Sequence, residues 1–159
     1  MRLLLAAGLL AARAAAAQAP ADAALIRQSL PAWGLKTLDA PAFAAKYSLE
    51  SRLNPFFQQG DFDGDGRLDL AVLINEKITG KHGLALLRRT APAPVVIGAG
   101  RDFGNGGDDW GWMDVWRIEE AAAARPGVVR HDLWVEKSES AGGVIRWDGH
   151  AFRWRQAGN

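Results

Sequence analysis

Four aspartates stand within nine residues of "GDFDGDGRLDLAVLI", residues 60–74. Asp61, Asp63, Asp65 and Asp69 occupy positions 1, 3, 5 and 9 of D-x-D-x-D-G-x-x-D, with Gly66 at position 6. Carboxylates this close repel one another unless something offsets their charge. The spacing suits a hard cation. Ca²⁺ takes about six to eight oxygens at about 2.3–2.6 Å, and alternate residues of a tight loop turn their carboxylates inward. Arg67, at position 7, offers a backbone carbonyl, and Gly66 permits the sharp bend that aims it. Asp69 closes the site directly or through a water at the entry of an apolar strand. Position 12 is Val72, where an EF-hand carries a bidentate Glu, and a strand follows instead of a helix. The expectation is a loop-then-strand site for one Ca²⁺, weak, in the range of roughly 10⁻⁴–10⁻³ M. Mg²⁺ fits less well, because it keeps its waters and needs few carboxylates.

The segment resembles the calcium loop of FG-GAP and VCBS-type repeats, the blades of integrin-like β-propellers. That resemblance implies Asp61, Asp63, Asp65 and Asp69 as ligands, with Arg67 through its carbonyl. Those families carry several repeats and this chain carries one, so the loop transfers and the propeller does not. The stretches "NPFFQQGDFDGDG", "GAGRDFGNGGDDWGWMDVW", "VEKSES" and "WDGHAFRWRQAG" also resemble a group of small exported bacterial proteins of unassigned function. The implication is a shared single-domain fold, with no activity attached.

Other chemistry is sparse. "GAGRDFGNGGDDWGWMDVW", residues 98–116, fails the dinucleotide pattern G-x-G-x-x-G because Phe103 takes the third glycine position. It reads as a long glycine-rich loop in which Asp102, Asp108 and Asp109 serve as ordinary turn residues. Among seven tryptophans, Trp116, Trp134 and Trp154 read as core, while Trp110 and Trp112, beside the glycine loop, are the candidates for exposure and ligand binding. The three histidines, His82, His131 and His150, form no ligand motif, and there is neither a cysteine nor a G-x-S-x-G or H-E-x-x-H string. Lys137 and Ser138 should point to opposite faces of a strand and so form no catalytic pair. No catalytic residue is expected.

These residues must be positioned by a modest domain. The chain has 159 residues, 48% of them hydrophobic, and a formal net charge of +1 without a Lys/Arg run. One core is affordable, and nucleic acid is a poor partner. "MRLLLAAGLLAARAAAAQA", residues 1–19, reads as a cleaved signal peptide ending in Ala17-Gln18-Ala19, too interrupted by Arg13 to span a membrane. The expectation is a periplasmic or secreted chain without a membrane span, one α+β domain over residues 20–159. Short helices at 21–30 and 40–46 precede nine strands, at 47–52, 56–59, 68–75, 83–89, 94–98, 112–118, 128–136, 143–147 and 151–155, in one mainly antiparallel sheet that is not a propeller. "LAVLI", residues 70–74, is apolar at both parities and should be buried on both faces. Asp148-Gly149 signals a type I′ hairpin. The functional expectation is a non-catalytic calcium-binding protein with a structural ion, interacting with an unknown envelope protein or glycan. The alternatives are a carbohydrate- or cell-wall-binding module using exposed tryptophans, and an envelope hydrolase or hydrolase inhibitor.

Overall fold

The apolar run at 70–74 decides how the layers stack. The computed structural model describes residues 23–122 and 125–157; the expected signal segment, 1–19, lies outside the described residues. Strand β3 (Asp69–Glu76) carries the run, with β1 (Tyr47–Leu49) and β2 (Phe57–Gly60) before it in the chain. Both pair antiparallel along one edge of β3, β2 against its first half and β1 against its end. The other edge holds β4 (His82–Leu87), followed by β5 (Val95–Gly98). Side chains of β3 alternate in direction, as strand geometry requires. Ala71 and Leu73 enter one core, and Leu70, Val72 and Ile74 the other, all of them fully buried.

Each face of this first sheet has its own cover. A helical stretch at 23–29 and the helices α1 (Ala32–Leu38) and α2 (Pro41–Ala44) lie on one side. They bring Ile26, Leu30 and Leu38 onto Leu70, Val72 and Ile74. Gly34 permits the close approach, since a Cβ there would stand 2.8 Å from Leu70 Cδ2. A second antiparallel sheet covers the other side, in the order β6 (Val115–Ala122), β7 (Val129–Lys137), β8 (Ala141–Trp147) and β9 (Phe152–Ala157). Its Trp116, Leu133, Val135, Ile145 and Phe152 share one core with Ala71, Leu73, Leu84, Leu86 and Ile97. The layers are therefore helices, sheet, sheet.

All nine expected strands occur, but in two sheets and not one. The apolar inner face of the first sheet needs an apolar cover that three short helical pieces on its opposite side cannot give. The second sheet supplies it, and the glycine-rich segment 99–114 carries the chain across. Strand β6 starts at Val115, not at 112, because residues 111–112 turn and Met113 N–H donates to Trp110 carbonyl oxygen at 3.1 Å. Helix α1 was not expected: Pro31 caps it instead of merely ending the preceding helix. Asp39 does not cap α2, whose N-cap is Ala40; it closes α1 and pairs with Arg27 at 2.7 Å. Asp148-Gly149 lies in a four-residue loop between Trp147 and Phe152, not in a two-residue turn. There the Asp148 carboxylate accepts from the N–H groups of His150 and Ala151 and from Arg153 Nε, which holds the chain round the bend.

Truncating a side chain that touches the shared core tests this layering. Leu73→Ala should cost about 2–5 kcal/mol in urea unfolding. Ile78→Ala, at a position 90% exposed in the β3–β4 turn, should stay within about 0.5 kcal/mol of the parent. A Leu73→Ala protein as stable as the parent would remove β3 from the centre.

Candidate metal centre

The aspartate loop is the connection of the β2–β3 hairpin. Gly60 and Asp69 are its last paired residues, so residues 61–68 must double back between two adjacent strands. Gly64 at φ 76° and Gly66 at φ 88° take the left-handed conformations this requires. Asp61 organises the bend. Its Oδ1 accepts from the N–H groups of Gly64 at 2.6 Å and Asp65 at 3.1 Å, and its Oδ2 accepts from Gly66 N–H at 2.7 Å. Asp63 Oδ1 accepts from Asp65 N–H at 3.1 Å, and Asp65 Oδ1 from Arg67 N–H at 2.8 Å. These bonds leave lone pairs open, since an ionised carboxylate offers about four acceptor sites.

Three of the expected carboxylates converge. Ligand oxygens of Asp61, Asp63 and Asp65 all lie within 4.8 Å of one another. Two oxygens on opposite sides of one Ca²⁺ stand roughly 4.6–5.2 Å apart, so this spacing is compatible with a single ion shared by the three. Arg67 is exposed at position 7. Asp69 stands outside the converging group. As the first residue of β3 it is fully buried, its Oδ2 accepting from Phe62 N–H at 3.0 Å and its Oδ1 from Arg89 N–H at 2.7 Å. The sequence reading has it closing the site directly or through a water; here its two oxygens fasten the start of the loop to the residues after β4.

Electrostatics follow from this crowding. Burial pushes the Asp69 carboxyl up to about 7; the Arg89 N–H bond opposes the rise and the charge of Asp63 adds to it. Burial also raises Asp63, with the neighbouring Asp65 charge second. The nearest cation is Arg88, whose Nη1 is 3.4 Å from Asp63 Oδ2 while its guanidinium lies over the Trp147 ring, 4.5 Å from the centroid.

No family model, curated protein or solved structure matches this chain. The site therefore stands on its own geometry.

Several neighbours of the loop have no signal in the sequence, because they arrive from distant parts of the chain. His131 of β7 is the foremost. Its N–H donates to Asp61 carbonyl oxygen at 2.7 Å, and its Nδ1 accepts from Asp61 N–H at 3.1 Å. The ring proton in this arrangement is on Nε2. Thr90 Oγ1 donates to Asp65 Oδ2 at 3.3 Å, and Arg125 Nη2 to Gly64 carbonyl oxygen at 3.1 Å. The loop thus touches both sheets.

The second set of candidates divides. Trp110 is fully buried, which corrects its expected exposure. Gly98 and Gly106 make the space, since a Cβ on either would lie 2.6–2.7 Å from the indole. Trp110 then packs on Trp112, with ring centroids 5.4 Å apart, and on Trp154 at 5.7 Å. Trp112 is half-buried, its Nε1 donating to Gly106 carbonyl oxygen at 3.0 Å. Asp108 pairs with Lys81, and Asp109 Oδ1 accepts from the N–H groups of His82 and Gly111, both at 3.0 Å, so these two acids hold the loop. Lys137 and Ser138 do come near each other, because β7 ends at Lys137 and strand alternation ends with it. Both close on Asp114, at 2.8 Å from Lys137 Nζ and 3.0 Å from Ser138 Oγ, and the Lys137 bond leads in holding that carboxyl down to about 2.

The raised Asp69 carboxyl sets a pH dependence for the protein in EDTA. In the unfolded chain it titrates near its ordinary 3.8, and in the folded protein near 7. Between these values the unfolded state binds fewer protons at Asp69, so this carboxyl's contribution to stability falls as pH rises from about 4 to about 7. Urea unfolding across that range should show the decline for the parent and a flatter profile for Asp69→Asn. Identical slopes would contradict the assignment.

Proposed function

We propose that this chain is an exported, non-catalytic calcium-binding protein in which one Ca²⁺ is structural. The clustering of one oxygen each from Asp61, Asp63 and Asp65 within 4.8 Å of one another carries the reading. The donor set consists of oxygens alone, as a hard cation demands. Asp61, Asp63 and Asp65 would hold the ion, with Arg67 through its carbonyl and Asp69 closing the site through a water. The ion would supply charge neutralisation, not chemistry, at a bend that already joins β2 and β3 to His131 of β7.

The setting proposed is the periplasm or the exterior, from the leader-like residues 1–19. Among the described residues no helix is long and apolar enough to cross a membrane. The helices-on-sheets arrangement reads as one α+β domain over 20–159. Its role there is interaction with another envelope component, a protein or a glycan.

A thermal melt in EDTA, Ca²⁺ and Mg²⁺ tests the ion. A ligand that binds only the folded state at a hundredfold excess over its dissociation constant adds about 2.7 kcal/mol. Ca²⁺ should raise the midpoint more than Mg²⁺, and Asp63→Ala should abolish the difference. Equal midpoints in EDTA and in Ca²⁺ at roughly 0.1 M, a hundredfold above the weak end of the expected range, would end the proposal.

A further inference from the structure

The strongest unassigned feature is on the far side of the tryptophan cluster. A cleft of about 530 Å³ opens between the glycine turn at Gly104–Gly106 and the strands β8 and β9. That volume is within the roughly 300–1,000 Å³ usual for small-ligand sites. Trp112 and Trp154 both line it, and Trp110 backs them both from the core. The two indoles come from sequence positions 42 residues apart, and the buried third one fixes their relation. Each half-buried indole already has its N–H bound, Trp112 to Gly106 and Trp154 to Gln156 Oε1 at 3.3 Å. What they can offer a ligand is therefore ring surface.

The rim is polar and held in place. Gln156 Oε1 also accepts from Asn105 Nδ2 at 3.1 Å, and Gln156 Nε2 donates to Gly142 carbonyl oxygen at 3.0 Å. One glutamine thus ties the glycine turn, β8 and an indole together. Ser140 also lines the cleft. Lys137 is the one charged residue of the lining, and its ammonium is engaged by Asp114. An anion finds no uncommitted cation there, and a purely apolar ligand would face amides and a hydroxyl. Flat apolar ring surface beside neutral hydrogen-bonding groups complements one chemistry well: a sugar ring, with C–H groups on its faces and hydroxyls at its edge.

We propose that this cleft binds an uncharged saccharide, with Trp112 and Trp154 as the stacking surfaces and Asn105, Gln156 and Ser140 as the polar contacts. The site is separate from the aspartate loop, shares no residue with it, and does not depend on the ion. The test is a titration of the purified protein with chitohexaose, cellohexaose, mannohexaose and maltohexaose up to millimolar concentration, followed by tryptophan emission, in EDTA and in Ca²⁺. At least one of them should shift the emission saturably in both buffers. Ser140→Arg, an exposed substitution that fills the mouth, and Gln156→Ala, which frees the rim, should each weaken that binding at least tenfold while leaving the circular dichroism spectrum unchanged. No response to any of the four overturns the proposal. So does binding that both variants retain at parental strength.

Discussion

Asp61 is bonded in three directions, and the rest of the arrangement depends on it. Its carboxylate gathers the N–H groups of Gly64, Asp65 and Gly66. Its backbone exchanges two hydrogen bonds with His131, one through the imidazole and one through the main chain. One residue therefore shapes the hairpin bend in the first sheet and locks it to the second. The same step of chain buries Phe62 in the core between the sheets. Gly60, just before it, faces His131, and a Cβ there would stand 3.0 Å from the ring. The loop is built as a joint between layers. A structural ion at Asp61, Asp63 and Asp65 would tighten that joint where the layers meet.

Glycine plays a complementary part at the other end of the molecule. Trp110 is in the core because Gly98 and Gly106 leave room against its ring, and Trp154 lies where Gly104 and Gly143 leave room. Side chains at these four positions would push the indoles outward. The glycine-rich segment is therefore the negative of the tryptophan cluster. It works by what it lacks, which explains why a residue read as a surface aromatic is fully buried. The same segment carries the chain from the first sheet to the second, so crossing and packing share one stretch of sequence.

What the sequence made legible follows from range. The buried strand at 70–74 and the loop with its glycine bend are local patterns, and each occurs as read. The β3–β4 hairpin with Gly80 at φ 73° is local too. Misread features depend on partners far along the chain. Trp110 reads as a surface aromatic, yet it is fully buried against Trp154 of β9. The late start of β6 reflects Arg52, which donates to the carbonyl oxygens of Trp110 and Met113 from the other sheet's loop. The division into two sheets depends on which faces need cover, and no short window contains that balance.

The charge balance around the aspartates bears on the ion independently of the spacing. Four acids, Asp61, Asp63, Asp65 and Asp69, stand close enough for Asp63 and Asp65 to raise the carboxyl of Asp69. Among the described residues, Arg88, Arg130 and Arg125 approach the loop, and only Arg88 pairs with one of its carboxylates. Arg88 reaches a single oxygen at 3.4 Å and spends its face on Trp147. The Arg130 stem lies 3.4 Å from a Cβ built on Gly64, but its guanidinium pairs with Asp132 at 2.6 Å, where Arg146 also approaches at 3.5 Å. Arg125 donates to a backbone carbonyl, not to a carboxylate. One arginine contact is set against the charge of several carboxylates, while Arg130 and Arg125 are engaged by other groups. Backbone N–H groups fix the geometry of the carboxylates but carry only partial charge. A divalent ion among the three converging oxygens would balance what the arginines leave, and a bound cation of that charge would also lower the cost of ionising Asp69.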